Sequence, residues 1–216
     1  MSEFFIVLGN KNYSSWSLRG WLVLAACGVD FGEEVIPLDR PETKARLRAA
    51  SPTARVPSLR HGALTIPDSL AIAEYLAERF PGAGLWPEDP AARAKARAAV
   101  CEMHSGFTVL RAELPMAIRE SFPGRSFSAA AKADIARVIE IWETCRAAPE
   151  AAGGPFLFSR FGIADAFYAP VVTRFRTYGI ALPAAAEAYA EAVLAWPDLK
   201  RWSAAAAEEP WTLENP

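Results

Sequence analysis

Three short segments hold residue types from which chemistry could be built. The first is Asn12-Tyr13-Ser14-Ser15-Trp16-Ser17-Leu18-Arg19, which follows the apolar run Phe4 to Leu8 and opens an apolar helical pattern. Hydroxyls there stand at a helix N-terminus, where unpaired N–H groups and the helix dipole favour an anion. Ser14 or Ser15 either caps the helix or donates to a bound anion such as a thiolate, which lowers the thiol pKa. The second segment is Ser51-Pro52-Thr53-Ala54-Arg55-Val56-Pro57-Ser58-Leu59. A proline can open a strand because no ladder donor is needed there. A trans Val56-Pro57 bond is an ordinary strand edge, whereas a cis bond turns the Val56 N–H and C=O outward towards an extended, peptide-like ligand. The third is Asp68-Ser69. Either residue is a good N-cap. The Ser69 hydroxyl and the helix N–H groups could also hold a carboxylate while Asp68 pairs with an ammonium, so an amino-acid head group satisfies both.

These segments need a scaffold, and the periodicity supplies one in two parts. Phe4 to Leu8 reads as a buried strand, Trp16 to Cys27 as a helix ended by Gly28, Glu33 to Leu38 as a second strand, and Thr43 to Ala50 as a short helix. Pro57 to Leu59 and Leu64 to Ile66 read as a hairpin through His61-Gly62, and Ser69 to Phe80 as a closing helix with Leu70, Ala73, Leu76 and Phe80 on one face. That order is an α/β layer sandwich. Three prolines and two glycines punctuate residues 81–90, which predicts a linker. Beyond it the pattern is helical: Ala91 to about Glu120, Ala129 to Ala147, Ile163 to Tyr178, Ala184 to Leu194 and Leu199 to Glu208. The expected division is an α/β domain over 1–81, a linker over 82–90 and an all-helical domain over 91–216.

Composition narrows the function classes. The 216 residues are 52% hydrophobic and 22% charged, with 23 Lys+Arg against 25 Asp+Glu and a formal net charge of −2. That balance disfavours a nucleic-acid partner. No apolar run reaches the roughly 20 residues that span a bilayer, so no membrane partner is expected, and the first residues lack a signal peptide's basic start. Three scattered cysteines argue against a disulfide framework and point to a reducing, cytoplasmic setting. Between Arg40 and Arg60 six basic residues meet one acid, which favours an anionic ligand near this part of the chain.

Together the three segments resemble the glutathione transferase superfamily across essentially the whole chain. Ser14-Ser15-Trp16-Ser17-Leu18-Arg19 is similar to the serine motif of the zeta and related bacterial classes, with Trp16 where the zeta motif carries Cys. Val56-Pro57 falls at the family's cis-proline. Asp68-Ser69-Leu70-Ala71-Ile72-Ala73-Glu74-Tyr75-Leu76 resembles its Glu/Gln-Ser-x-x-Ile-x-x-Tyr-Leu, and Phe161-Gly162-Ile163-Ala164-Asp165 its capping motif, with Gly162 in place of Ser or Thr. The resemblance implies a thioredoxin-like α/β N-terminal domain followed by an all-α C-terminal domain. It implies glutathione as co-substrate, no metal, and a twofold homodimer.

It further implies that the glutathione Cys backbone pairs with Val56 beside Pro57, its γ-Glu group meets Asp68 and Ser69, and its glycyl carboxylate lies near Arg55 or Lys44. The sulfur sits at Ser14 or Ser15, with Tyr13 a lesser hydroxyl donor. A small, largely apolar electrophile then occupies an apolar pocket that includes Trp16; Met103, His104, Phe107 and Arg111 recur at roughly helical spacing and could line it, with His104 or Arg111 orienting a polar substrate, and Arg174 and Arg176 are weaker candidates. Met103 and Phe107 are equally readable as core residues, and His104 as a hydrogen-bonded structural residue. Two other readings accompany conjugation: a zeta-like cis–trans isomerase of the maleylacetoacetate type, and a non-catalytic glutathione-binding or protein-interaction module.

Overall fold

The computed structural model describes residues 3–213; residues 1–2 and 214–216, at the outer edges of the two expected domains, lie outside it. Strand β1 (Phe4–Leu8) leads through helix α1 (Ser15–Ala26) to strand β2 (Phe31–Val35). Helix α2 (Thr43–Ala50), strands β3 (Ser58–His61) and β4 (Leu64–Pro67) and helix α3 (Ser69–Arg79) complete the first unit. The sheet order is β2-β1-β3-β4. β1 runs parallel to β2, pairing Phe4 with Phe31 and Leu8 with Val35, and antiparallel to β3, pairing Ile6 with Leu59. A short 3-10 turn at Pro81–Ala83 precedes the helical unit: α4 (Pro90–Ser105), α5 (Thr108–Glu113), α6 (Ala129–Ala147), α7 (Ile163–Tyr178), α8 (Ala184–Ala195) and α9 (Pro197–Ala207). Among the described residues no helix is long and apolar enough to cross a membrane.

The expected elements are present, with corrections at three places. β2 begins two residues before Glu33 and stops at Val35, because Pro37 has no N–H to donate and the Leu38 N–H is taken by Asn10 Oδ1 at 2.8 Å. The β3–β4 turn falls at Gly62-Ala63, where Gly62 takes φ +59°. The long helix expected from Ala91 to Glu120 is two helices. Gly106 closes α4, since a Cβ there would stand 2.7 Å from the Glu102 carbonyl oxygen, and Phe107 adopts φ 57° before α5 begins. The short α5 then ends at Leu114, ahead of Pro115.

Helix α1 sits at the centre. Every residue from Ser15 to Leu24 except Trp16 is buried, because α1 packs on α3 within its own unit and on α7 and α9 of the helical unit. Gly20 permits part of this: a Cβ there would lie 3.0 Å from Pro57 Cγ. Val56-Pro57 is cis.

The second core helix, α7, is buried along almost its whole length. Its N-terminus is capped from Asp165, whose Oδ2 accepts from Gly162 N at 2.9 Å and whose Oδ1 accepts from Leu157 N at 3.0 Å. Burial pushes this carboxyl up to about 6. The departure to Gly162 has a steric reason. The Leu85 carbonyl oxygen, which accepts from Ile163 N at 3.0 Å, stands 2.7 Å from where a Cβ at 162 would be. Asp165→Ala strands two buried N–H groups and is expected to cost about 2–4 kcal/mol of stability; urea unfolding should show a lower midpoint with an unchanged slope.

Candidate functional site

Eight of the residues singled out in the sequence converge on one cavity of about 730 Å³: Trp16, Arg55, Val56, Pro57, Asp68, Ser69, His104 and Arg111, joined by Thr53. The first unit supplies Thr53 to Pro57 from the loop before β3 and Asp68-Ser69 from the start of α3. The α1 terminus supplies Trp16, and α4 and α5 supply His104 and Arg111 on either side of the Gly106-Phe107 break.

Asp68, at φ 77°, caps α3 by accepting from Leu70 N at 2.7 Å and Ala71 N at 3.3 Å. Its second oxygen lies 3.6 Å from His104 Nε2. The Ser69 hydroxyl is buried and makes no hydrogen bond within the described residues. Half-satisfied polar groups of this kind beside a cavity are what a polar ligand would complete.

The opposite wall is cationic and aromatic, where an apolar pocket was expected. Two guanidiniums lie over the Trp16 ring, Arg19 at 4.5 Å and Arg111 at 4.3 Å from its centroid, and His104 meets it edge-on at 5.2 Å. Such cation–aromatic contacts strengthen as water is excluded. Arg19, the last residue of the serine motif and without a role legible in the sequence, is completely buried. None of its three guanidinium nitrogens has a hydrogen-bond partner among the described residues. Phe167 lies beneath it at 5.2 Å. Burial, reinforced by the Arg174 and Arg111 charges, holds its pKa well below the usual guanidinium range. The available signal was a lone charge inside the apolar run from Leu18 to Leu24.

The hydroxyls form a relay at the start of α1. Ser14 is the N-cap, accepting from Ser17 N at 3.3 Å, and its hydroxyl donates to Ser17 Oγ at 2.8 Å. Ser17 Oγ also accepts from Gly9 N at 2.9 Å. Ser14 and Ser15 are buried, and neither lines the cavity as it stands. If the Ser14 hydroxyl turns to another acceptor, Ser17 can donate back to Ser14, so the pair can present a donor without orphaning either oxygen.

Several expected pocket residues stand elsewhere. Phe107 and Met103 are in the core. Arg174 is buried, its guanidinium donating to the Leu114 carbonyl at 2.7 Å and the Pro170 carbonyl at 3.3 Å. Arg176 lines a separate surface cavity with Lys200, Lys44 is exposed, and the Tyr13 hydroxyl is engaged by Glu120 and Arg119.

The glutathione S-transferase N-terminal domain model matches residues 13–79 and the corresponding C-terminal domain model residues 126–205. The chain belongs to the glutathione transferase family. Among relatives of this family member, a probable maleylacetoacetate isomerase of Caenorhabditis elegans is 38% identical over 100 residues, 46% of each chain. The maleylacetoacetate isomerase of Rattus norvegicus is 34% identical over 92 residues, 40% of this chain and 41% of the relative. The alignments thus span less than half the length of these curated relatives. A Burkholderia glutathione transferase homolog with bound glutathione superposes with TM-score 0.71 at 24% identity, covering 95% of this chain and 98% of that one. A zeta-class bacterial maleyl pyruvate isomerase gives 0.73 at 22%, covering 97% and 100%. At those identities the two structures establish a common fold.

The electrostatics of the site give a titration test. Burial, helped by Arg19 and Arg111 and opposed by Asp68, holds His104 below the usual imidazole range, so the ring is neutral at neutral pH. A group lowered in this way contributes stability that is fully present above its unfolded value and is lost progressively as pH falls from there through its native value. The chain has two histidines, so the His104 resonance can be followed by NMR. Its midpoint should lie below about 6.5, move lower still in Asp68→Asn and rise in Arg111→Ala.

Proposed function

We propose that the protein is a glutathione-dependent enzyme that ionises the thiol at Ser14 and adds it to a small electrophile bearing a carboxylate. Glutathione lies along the first-unit wall of the cavity. Its γ-Glu ammonium meets Asp68, its γ-Glu carboxylate the Ser69 hydroxyl, its Cys backbone Val56 beside Pro57, and its glycyl carboxylate Arg55. The sulfur lies at the start of α1, where the Ser14 hydroxyl, or Ser15 as the alternative donor, hydrogen-bonds the thiolate. The thiol proton leaves to solvent, and the helix N-terminus and the nearby guanidiniums favour the anion that remains.

The observation that carries the acceptor half of the reading is the wall on which Arg19 and Arg111 lie over Trp16 with His104 at its edge. Arg111 and His104 face the cavity and can hold a carboxylate, and the buried Arg19 charge adds attraction from behind the ring. A neutral hydrophobic electrophile would leave these groups uncompensated.

Two outcomes follow from one adduct. If the acceptor carries a leaving group, it departs with its electron pair and the conjugate is released. If the acceptor is a conjugated cis double bond, the thiolate adds, the new single bond rotates and the thiolate is expelled, so glutathione is recovered and only geometry changes. The second outcome, isomerisation, is favoured by the maleylacetoacetate isomerase relatives. A twofold homodimer in the cytoplasm belongs to the same reading.

Calorimetry with glutathione and ultraviolet titration of the bound thiol test the first half. Ser14→Ala should keep binding within a fewfold and raise the thiol midpoint, and Ser17→Ala should raise it less. An unmoved midpoint in Ser14→Ala would remove the serine from its role. For the acceptor half, Arg111→Ala should raise KM for a carboxylate electrophile by about tenfold to a hundredfold, as losing a charge-assisted hydrogen bond does. KM for its neutral ester should be unchanged, and equal losses on acid and ester would refute the carboxylate assignment.

A further inference from the structure

The three residues before Ser14 form a plug set into the helical unit. Asn12 is fully buried, and every polar group it has is held from a distance in sequence. Its N–H donates to Glu209 Oε2 at 3.1 Å, its carbonyl accepts from Ile118 N at 3.3 Å, and its Oδ1 accepts from Arg119 N at 2.9 Å. Its Nδ2 donates to both Glu120 oxygens at 3.2 and 3.1 Å. The Lys11 N–H donates to the other Glu209 oxygen at 2.7 Å, and the Lys11 carbonyl accepts from Trp202 Nε1 at 2.9 Å. Arg119 closes the arrangement by donating to the carbonyls of Glu209 at 2.6 Å and Trp211 at 2.9 Å, and to the Tyr13 hydroxyl at 3.4 Å.

None of these groups lines the cavity, so the network has no direct part in binding. It ends where the chemistry begins. The Asn10 carbonyl accepts from Tyr13 N at 3.2 Å and Ser14 N at 2.8 Å, and Ser14 is the next cap. Two consecutive N–H groups held by the two oxygens of one carboxylate fix the orientation of adjacent peptide planes, which an apolar anchor would not do. A catalytic hydroxyl two residues beyond Asn12 inherits that orientation, and displacements near 1 Å at a reacting group can cost as much as a hundredfold in rate.

We infer that Glu209 and Asn12 are positioning residues for the Ser14 hydroxyl, so that the segment after α9 sets the geometry of the thiol site. The inference rests on the assignment of Ser14 as thiolate donor. It is tested with four proteins: wild type, Ser14→Ala, Glu209→Gln and the double variant. A Gln side chain offers one acceptor and one donor, so one of the two N–H groups loses its partner. The readouts are the ultraviolet titration midpoint of bound glutathione, its Kd by calorimetry, and the thermal unfolding of each protein.

Glu209→Gln is expected to raise the midpoint by about half to one pH unit while Kd stays within about threefold. The double variant should match Ser14→Ala alone, because the two act through the same hydroxyl. A midpoint that Ser14→Ala moves and Glu209→Gln leaves in place overturns the inference. So does a double variant shifted beyond Ser14→Ala, which would assign Glu209 a separate, merely structural effect. If Ser14→Ala itself leaves the midpoint unmoved, the donor assignment fails and this inference falls with it, a result distinct from the other two.

Should Glu209→Gln not fold, Asn12→Asp provides the same test by setting a carboxylate against Glu120. Its midpoint should rise, and adding Glu120→Gln, which restores a donor to face the new carboxylate, should bring it back. A folded pair without that rescue also overturns the inference.

Discussion

Helix α1 has no solvent-facing side through its first ten residues, apart from the partly covered Trp16. The sheet unit and the helical unit close on it together, so whatever polar groups it carries must find partners inside the protein or wait for a ligand. Ser17 finds its partners in the Gly9 N–H and Ser14. Arg19 finds aromatic faces in place of hydrogen-bond acceptors. A charge buried without an acceptor is costly to the fold, and the same charge is a fixed source of positive potential beside the cavity. The character of the site therefore follows from the packing of one helix. The serine relay, Trp16 and the Arg19 cation all fall within six residues at the start of α1.

Local signals made most of the fold legible. α2, α6 and α7 occupy the ranges that their periodicity and flanking Gly or Pro predict. The Gly106-Phe107 joint was passed over because the apolar spacing continues through it, although Gly106 and Pro115 stood in the sequence as breakers. β2 was displaced by two residues because a half-buried strand with the pattern Phe-Gly-Glu-Glu-Val alternates weakly. At Val56-Pro57 the residues alone favour the commoner trans isomer, the resemblance implies cis, and the bond is cis.

The site divides in the same way. Residues inside recognisable motifs, such as Val56, Pro57, Asp68 and Ser69, could be placed because each motif brings its own local geometry, and they share one wall. Phe107 is in the core, one of the two places its spacing allows, and its left-handed φ of 57° interrupts the helix that the spacing runs through. Arg19 was quoted without a role because its burial depends on helices more than a hundred residues away. Glu209 and Asn12 were beyond reach for a similar reason: each looks like an ordinary polar residue, and their meeting depends on the full arrangement of α9 against α1.

The Leu85 carbonyl lies in the connecting segment, yet it occupies the place a capping side chain would take at the start of α7. The connection is thereby part of the core helix's terminus as well as a tether. Pulling the two units apart would uncap α7 at the same moment that α1 lost its packing against it. Neither unit can then open as an independent lobe, and heat or denaturant should unfold both in one cooperative step, with the hinge and the centre of the helical core failing together.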